Sequence, residues 1–266
     1  IPDTRSLSAS QRGLAIIFER RLLRPTDGSD ALWFDAAHRP DQLVDDWSFV
    51  AQRYATFDNV IGAHLAAGPH GDACWGCGDD ELDWRAAAER AGDAVHGDAP
   101  DWLIFVAGVE TLDGGPCVDA PCAPWGSNLL GAVDAPVALD QPNKVVYAPS
   151  SFGPSVVTAV DTAASGSADG DVSIDRWWGQ LIDDDVAPVV VLGLGARLDG
   201  DDGATDTVWL DERVAELADR GIGFSYQSLN ANDATTTGVL VGENWDAVND
   251  ELAAQLAPLL AGPFGP

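Results

Sequence analysis

The run Ala187-Pro-Val-Val-Val-Leu-Gly-Leu194 decides the fold class, because it is apolar throughout and shows no alternation of polar and apolar side chains. A strand of this composition is buried on both of its faces. Such strands belong to parallel sheets that helices cover, so the run predicts an α/β protein.

The rest of the chain repeats this pattern on either side of the run. Apolar, β-rich segments predict strands at 14–18, 60–65, 102–109, 144–148, 187–194 and 221–229. Amphipathic segments between them predict helices at 42–54, 84–96, 174–183, 209–220 and 245–260. Strands that alternate with helices indicate βα units around a parallel sheet.

The length of 266 residues and a hydrophobic content of 46% fit one α/β domain. We expect a single domain over 1–266, with 1–13 as an N-terminal segment and 158–171 as a long loop rich in small and acidic residues. No apolar stretch approaches the ~18 residues that a membrane-spanning helix needs, and we expect no signal peptide at Ile1. We therefore expect no membrane span.

The charge is extreme: 43 acidic residues face 14 basic ones, which gives a net charge of -29. Nucleic-acid binding is excluded, because neutralising phosphates requires clustered Lys and Arg. At molar salt the Debye length falls to about 3 Å, which screens the self-repulsion, so the composition predicts a halophilic source. Ten Trp residues and regular apolar runs argue against the alternative of an acidic disordered protein.

Four cysteines form two close pairs, Cys74 with Cys77 and Cys117 with Cys122. In an exported protein this spacing predicts two local disulfides, whereas in a cytosolic protein it suggests redox chemistry or half of a zinc site. Only His70 lies near enough in sequence to support zinc binding. We expect an exported protein with two disulfides, no metal site and no cofactor.

Specific motifs resemble bacterial cellulases of glycoside hydrolase family 5. The stretches Ala73-Cys-Trp-Gly-Cys-Gly78 and Asp83-Trp-Arg-Ala-Ala-Ala-Glu-Arg-Ala-Gly92 are similar to the loop and helix after the family's fourth strand. The segments at 102–109, 143–147, 186–189 and 224–230 resemble its fifth to eighth strands in order and spacing. The resemblance covers about 14–260 and implies a (β/α)8 TIM-barrel fold.

The resemblance also implies an incomplete barrel. The segment that starts at Leu14 resembles the family's third strand, so the first two βα units have no counterpart. Open strand edges invite pairing with other chains. We expect these edges to be covered by a partner chain, by a second copy in a homo-oligomer, or by the segment 1–10.

The family's catalytic positions carry other residues in this chain. Its acid/base motif Asn-Glu-Pro corresponds to Ala67-Gly68-Pro69, and Gly193 stands where its nucleophilic glutamate belongs. The positions whose side chains assist catalysis in the family also carry other residues here. These residues are Arg21, Ala66, Ser150-Ser151-Phe152 and Gln227. The resemblance thus implies that both catalytic glutamates of the family are absent.

Two other glutamates are candidates for a relocated active site. Glu19 and Glu110 follow predicted strands at the end where barrel chemistry occurs, and His64 and Asp113 are expected nearby. The plainer interpretation gives Glu19 an ion pair with Arg20 or Arg21 and leaves Glu110 as a solvated loop residue.

The sequence therefore predicts a catalytically inactive, cellulase-like protein. It would act as an extracellular, cell-surface or virion-associated binding or structural component at high salt. Two alternatives stay open: a carbohydrate-binding module, and an active β-glycoside hydrolase with a relocated site. For binding a polysaccharide or glycan, the candidate residues are Trp33, Trp75, Trp125 and Asn128, unless the Trp side chains pack against the loops.

Overall fold

A computed structural model describes residues 8–21, 32–115, 123, 125–157, 174–201, 203–231 and 235–260. The chain divides into two compact units. Unit 1 comprises Ile1–Pro149 and Ser173–Pro188, and unit 2 comprises Ser150–Val172 and Val189–Pro266. The predicted loop at 158–171 and much of the N-terminal segment lie outside the described residues, and the single domain stays a prediction.

Unit 1 is built around a four-stranded parallel sheet. Its strands are β1 (Ile16–Glu19), β2 (Val60–His64), β3 (Leu103–Val106) and β4 (Val145–Tyr147), in the order β1-β2-β3-β4. Helix α1 (Gln42–Tyr54) joins β1 to β2, and α2 (Trp84–Asp98) joins β2 to β3. The short α3 (Leu130–Asp134), a π-helical turn (Asp175–Gly179) and α4 (Gln180–Asp183) complete the unit.

Unit 2 contains a three-stranded parallel sheet. The strands β5 (Ser151–Phe152), β6 (Val190–Gly195) and β7 (Gly223–Tyr226) lie in that order, and α5 (Gly203–Arg220) joins β6 to β7. A small antiparallel pair, β8 (Leu240–Val241) with β9 (Ala247–Val248), precedes α6 (Asp250–Leu260).

The structure contains all six predicted strands as parallel strands, with ends shifted by up to three residues. Three further strands, β5, β8 and β9, have two residues each. Segments this short carry no detectable periodicity, which is why the sequence did not reveal them. Two helix starts also differ, because α5 begins at Gly203 and α6 at Asp250.

Helix α2 shows how the sequence fixes one βα unit. Asp83 accepts a hydrogen bond from the backbone N–H of Ala86 and so caps the helix at its start. The alanines that follow favour helix and let it pack closely against the sheet. Trp84 is fully buried, and its Nε1 donates to the carbonyl of Ala107 over 2.8 Å. The helix is thereby tied to the carboxyl end of β3.

None of the helices in the described ranges is both long and apolar enough to cross a lipid bilayer.

We expect Trp84→Phe to lower the free energy of unfolding by about 3 kcal/mol, because it shrinks a buried ring and leaves the Ala107 carbonyl without its donor. Denaturant unfolding at molar salt measures the change. Trp245→Phe is the matched control, since Trp245 is 46% exposed. An equal loss of stability in both variants would contradict this role for Trp84.

Candidate active site

In unit 1 a carboxylate and an imidazole meet where the parallel strands end. Glu19 is the last residue of β1, His64 is the last residue of β2, and the two are paired in register. A hydrogen bond joins their side chains, with 2.8 Å between Glu19 Oε2 and His64 Nδ1. Parallel barrels carry their chemistry at this end of the strands, so the pair is the first candidate for a reactive group.

His64 is 1% exposed. Nδ1 is the donor in this hydrogen bond, because an ionised carboxylate only accepts hydrogen bonds. Within the described part of the chain, Nε2 is buried and has no hydrogen-bond partner.

The side chain of Glu19 is 31% exposed, so the carboxylate of the Glu19–His64 pair reaches solvent. Desolvation raises the pKa of Glu19, but the hydrogen bond and charge of His64, together with the charge of Arg21, lower it more. The pKa therefore lies below its ordinary value of 4.5. Glu19 is an ionised carboxylate at neutral pH.

The two arginines of the ion-pair interpretation both have contacts in the structure. Arg20 pairs with Asp46 at 3.5 Å and donates to the carbonyl of Trp33. Arg21 acts on Glu19 through its charge. The sequence signal for the His64 contact was the position of both residues at the ends of adjacent strands.

Glu110 lies beyond β3 and is anchored on two sides. Its Oε2 accepts a hydrogen bond from the backbone N–H of Gly71, in the loop after β2, at 3.3 Å. Its backbone carbonyl accepts hydrogen bonds from the N–H of Ala123 and from Asn128 Nδ2. Glu110 is thus held at the strand end rather than freely solvated, while Asp113 is exposed in a turn.

Gly68 follows β2 and is closed in by another segment. Its φ is +66°, and an added Cβ would lie 2.8 Å from the backbone of Trp125. Gly126 faces it, since a Cβ on Gly126 would lie 2.8 Å from the Gly68 Cα. The segment around Trp125 occupies the space that a side chain at position 68 would need.

Gly193 lies within β6 of unit 2. A Cβ there would lie 3.2 Å from Ser150 Oγ and 3.4 Å from the ring of Phe152. Gln227 lies just past β7, and its N–H donates to the carbonyl of Leu194 over 2.7 Å. Gly193 therefore has more room for a side chain than Gly68 has.

Three of the four residues proposed for sugar binding are part of the protein interior. Trp33 is 2% exposed and contacts Trp84, with ring centroids 5.1 Å apart. Trp75 is buried and donates to the carbonyl of Ala135, and Asn128 is buried between Glu110 and Leu130. A stacking platform needs an accessible ring, and Trp125 is the one of the three tryptophans that is not buried.

The loop between β2 and α2 is closed by a disulfide between Cys74 and Cys77, as the spacing predicted. Asp83 accepts hydrogen bonds from the N–H groups of Gly76 and Gly78 in this loop. Cys117 and Cys122, the second predicted pair, lie outside the described residues.

Sequence reasoning missed Asp206, a fully buried carboxylate at the start of α5 in unit 2. It accepts hydrogen bonds from Ser155 N–H, Ser155 Oγ and Arg197 N–H at 2.8–2.9 Å. Asp206 thereby ties the helical turn after β5 to the segment after β6. An acid in the first turn of a helix is common, so no sequence signal set this residue apart.

Parallel strands that alternate with helices, with polar side chains gathered at the carboxyl ends of the strands, are typical of (β/α)-barrel proteins. Residues 31–233 match the family described as cellulase, glycosyl hydrolase family 5. The chain belongs to this family, whose fold is a (β/α)8 TIM barrel, and its parallel sheets confirm the predicted fold class, with 72% of the matched catalytic domain covered.

Relatives support the same assignment. The chain is 36% identical over 245 residues to an endoglucanase of Paenibacillus polymyxa, covering 91% of this chain and 59% of the relative. It is 33% identical over 235 residues to the major extracellular endoglucanase of Xanthomonas campestris, covering 87% of this chain and 47% of the relative. The chain thus spans about half the length of these relatives.

Solved structures agree with the sequence comparison. The catalytic domain of the Xanthomonas enzyme superimposes with a TM-score of 0.81 at 30% identity, covering 97% of this chain and 72% of that domain. A hyperthermophilic endocellulase of Pyrococcus horikoshii gives a TM-score of 0.82 at 28% identity, with the same coverage.

These findings correct the functional prediction from the sequence. The prediction was a catalytically inactive binding or structural component, whereas the proteins that this chain resembles over most of its length are named as endoglucanases. The findings favour the alternative of a glycoside hydrolase.

We expect Glu19→Gln to lower stability most near neutral pH and least in acid. Because the folded pKa of Glu19 is lowered, its stabilisation is fully present above the unfolded value of 4.5 and is lost as the pH falls through the folded pKa. Unfolding free energies of both proteins between neutral pH and pH 3 measure the difference. Glu243→Gln controls for the change in net charge, and a difference that does not vary with pH would contradict the prediction.

We expect Gly68→Ala to cost about 3 kcal/mol of stability, the sum of strain at positive φ and overpacking against Trp125. Gly78→Ala separates the two effects, because Gly78 has a φ of +76° and nothing within 4 Å of an added Cβ. We expect about 1 kcal/mol for this control. Equal costs for both variants in thermal unfolding would show that the Trp125 segment does not fill the space above Gly68.

Proposed function

We propose that this protein is an extracellular glycoside hydrolase that acts on β-1,4-linked glucan with relocated carboxylates. The observation that carries the proposal is the bond between Glu19 and His64 at the carboxyl ends of two adjacent barrel strands. Family membership and the endoglucanase relatives support the substrate class.

The need for relocation follows from positions 68 and 193. By their place in the sequence motifs, Gly68 and Gly193 occupy the sites of the two glutamates that catalyse hydrolysis in the family. Glycine has no carboxylate with which to protonate a leaving group or attack an anomeric carbon. The backbone of Trp125 packs against Gly68, which supports the proposal that this position does not carry a glutamate side chain in the active protein.

Glu19 and Glu110 supply the two carboxyl groups that glycoside hydrolysis needs. Glu19 is ionised and partly exposed, which suits it to activate water or to attack the anomeric carbon. His64 holds the Glu19 carboxylate in place. Glu110, anchored through Gly71, is the group proposed to protonate the leaving oxygen.

Glucan binding without hydrolysis has weaker support, because Trp33, Trp75 and Asn128 are buried. Trp125 is the one remaining candidate for stacking on a sugar ring. Of the four residues, Trp125 is therefore the one to substitute in a test of glucan binding.

The surroundings in which the protein works belong to the same proposal. The net charge of -29 supports a salty medium, and the Cys74–Cys77 disulfide supports an oxidising, extracellular one. The relative from Xanthomonas is named as an extracellular enzyme. Superposition of 97% of the chain on a single catalytic domain supports one domain over 1–266, and the open edge of β1 supports contact with a further polypeptide.

The test is release of reducing sugar from a soluble β-1,4-glucan at molar salt. We expect the unmodified chain to release sugar, and Glu19→Gln and Glu110→Gln each to lower kcat by about 100-fold or more, the usual loss of a general acid or base. Glu243→Gln, an exposed carboxylate in unit 2, is expected to keep full activity.

Two outcomes would overturn the proposal. One is the absence of sugar release by a chain whose unfolding transition shows that it is folded. The other is full activity of both variants, which would place the reaction elsewhere. Trp fluorescence during titration with the same glucan separates binding from hydrolysis, and Trp125→Ala tests the stacking residue.

A further inference from the structure

The hairpin of β8 and β9 in unit 2 carries the most exposed tryptophan of the chain. All ten tryptophans lie within the described residues: eight are buried, Trp125 is half-buried and Trp245 is 46% exposed. Burial of a large indole ring is favourable, so core packing does not explain the position of this ring. Trp245 is therefore a candidate for contact with a ligand.

The backbone presents Trp245 in the turn of the hairpin. Its φ is +55°, in the left-handed region that a bulky side chain rarely adopts. Its N–H donates to the carbonyl of Gly242 over 3.2 Å and so closes the turn. Residues in such sparsely populated conformations cluster at sites that contact ligands.

The hairpin is fixed to the rest of unit 2. The N–H groups of Val239 and Leu240 donate to the carbonyls of Ser228 and Leu229, and the N–H of Asn249 donates to the carbonyl of Val239, all at 2.8–2.9 Å. An aromatic side chain on a fixed support loses less conformational freedom when it binds a ligand.

Other apolar side chains enlarge the exposed surface of the hairpin. Val248 is 52% exposed, and Val241 and the neighbouring Leu229 are exposed as well. A two-residue strand spans only about 7 Å. Since a stable protein interface buries about 800 Å² on each partner, this surface suits a narrow chain better than a second folded protein.

A groove of about 650 Å³ lies beside the hairpin. Leu240 and Val241 of β8 line it, together with Arg197 and Asp199 from the segment after β6 and Glu251 at the start of α6. Its size is typical of a site for a small molecule or for a few units of a polymer.

The charges of this region select a neutral ligand that is rich in hydroxyl groups. Asp246 of the hairpin and Asp199 and Glu251 of the groove are exposed carboxylates. A carboxylate only accepts hydrogen bonds, and a hydroxyl group can donate them. The same carboxylates repel nucleic acid, anionic lipid and acidic polysaccharide.

We propose that the β8–β9 hairpin and the groove beside it form a second glucan-binding site, in which Trp245 stacks on a pyranose ring. The exposed carboxylates accept hydrogen bonds from the sugar hydroxyls. The site holds the polysaccharide and cleaves no bond. The choice of glucan rests on the proposed function, whereas the choice of a neutral sugar rests on Trp245 and the charges of the groove.

The test measures adsorption of the chain to insoluble β-1,4-glucan at molar salt, from the protein left in solution. We expect saturable adsorption, which Trp245→Ala should weaken by about tenfold, the effect of losing one aromatic anchor. Trp245→Phe keeps a ring and should weaken adsorption by about threefold or less.

The matched control is Val208→Ala, because Val208 is 58% exposed on α5 of the same unit. It should leave adsorption unchanged within about twofold. Thermal unfolding of each variant shows that it is folded.

A soluble tetrasaccharide of the same glucan separates this site from the reaction. In Trp245→Ala, we expect the loss of sugar release from insoluble glucan to exceed the loss on the tetrasaccharide by about fivefold or more, because only a polymer can occupy two sites at once. A chain that adsorbs but releases no sugar would refute the proposed function and leave the binding site standing.

Four results would overturn the inference. The first is a folded chain that does not adsorb, and the second is an equal loss of adsorption in Trp245→Ala and Val208→Ala. The third is an equal loss on insoluble glucan and tetrasaccharide, which would assign Trp245 to the reaction site. The fourth is a dimer in light scattering that Trp245→Ala dissociates, which would assign the hairpin to a second copy of the chain.

Discussion

Parallel pairing of β1 to β4 places the carboxyl end of every strand at one edge of the unit 1 sheet. The bond between Glu19 and His64 exists because those residues end neighbouring strands in the same register. Glu110 and Gly68 reach the same edge from β3 and β2. Without this alignment, residues far apart in the chain would not share an environment, and the candidate site would not form.

Close backbone packing at the strand ends is the second constraint on the site. Gly68 and Gly126 touch through backbone atoms, and Gly108 lies against the backbone of Asn128, where a Cβ would clash at about 2.1 Å. Asn128 Nδ2 in turn donates a hydrogen bond to the backbone carbonyl of Glu110 and holds it in place. The segment that excludes a side chain at position 68 therefore also holds Glu110 in place.

Positions 68 and 193 differ in the room that they leave for a side chain. A glutamate at position 68 would need the Trp125 segment to move, whereas Gly193 lies in more open surroundings. A side chain added at position 68 would thus meet backbone atoms, whereas one added at position 193 would meet the side chains of Ser150 and Phe152. The Glu19–His64 pair offers a carboxylate that requires no such rearrangement.

The sequence by itself determined the fold class, the six main strands and the Cys74–Cys77 pair, because apolar runs, helical periodicity and residue spacing are local properties. It also placed Glu19 and Glu110 at strand ends. Only the tertiary structure decided that Glu19 forms a hydrogen bond with His64, that Trp33 and Trp75 are buried, and that Asp206 joins the segments after β5 and β6. Those outcomes depend on which distant segments come into contact, and no local pattern encodes such contacts.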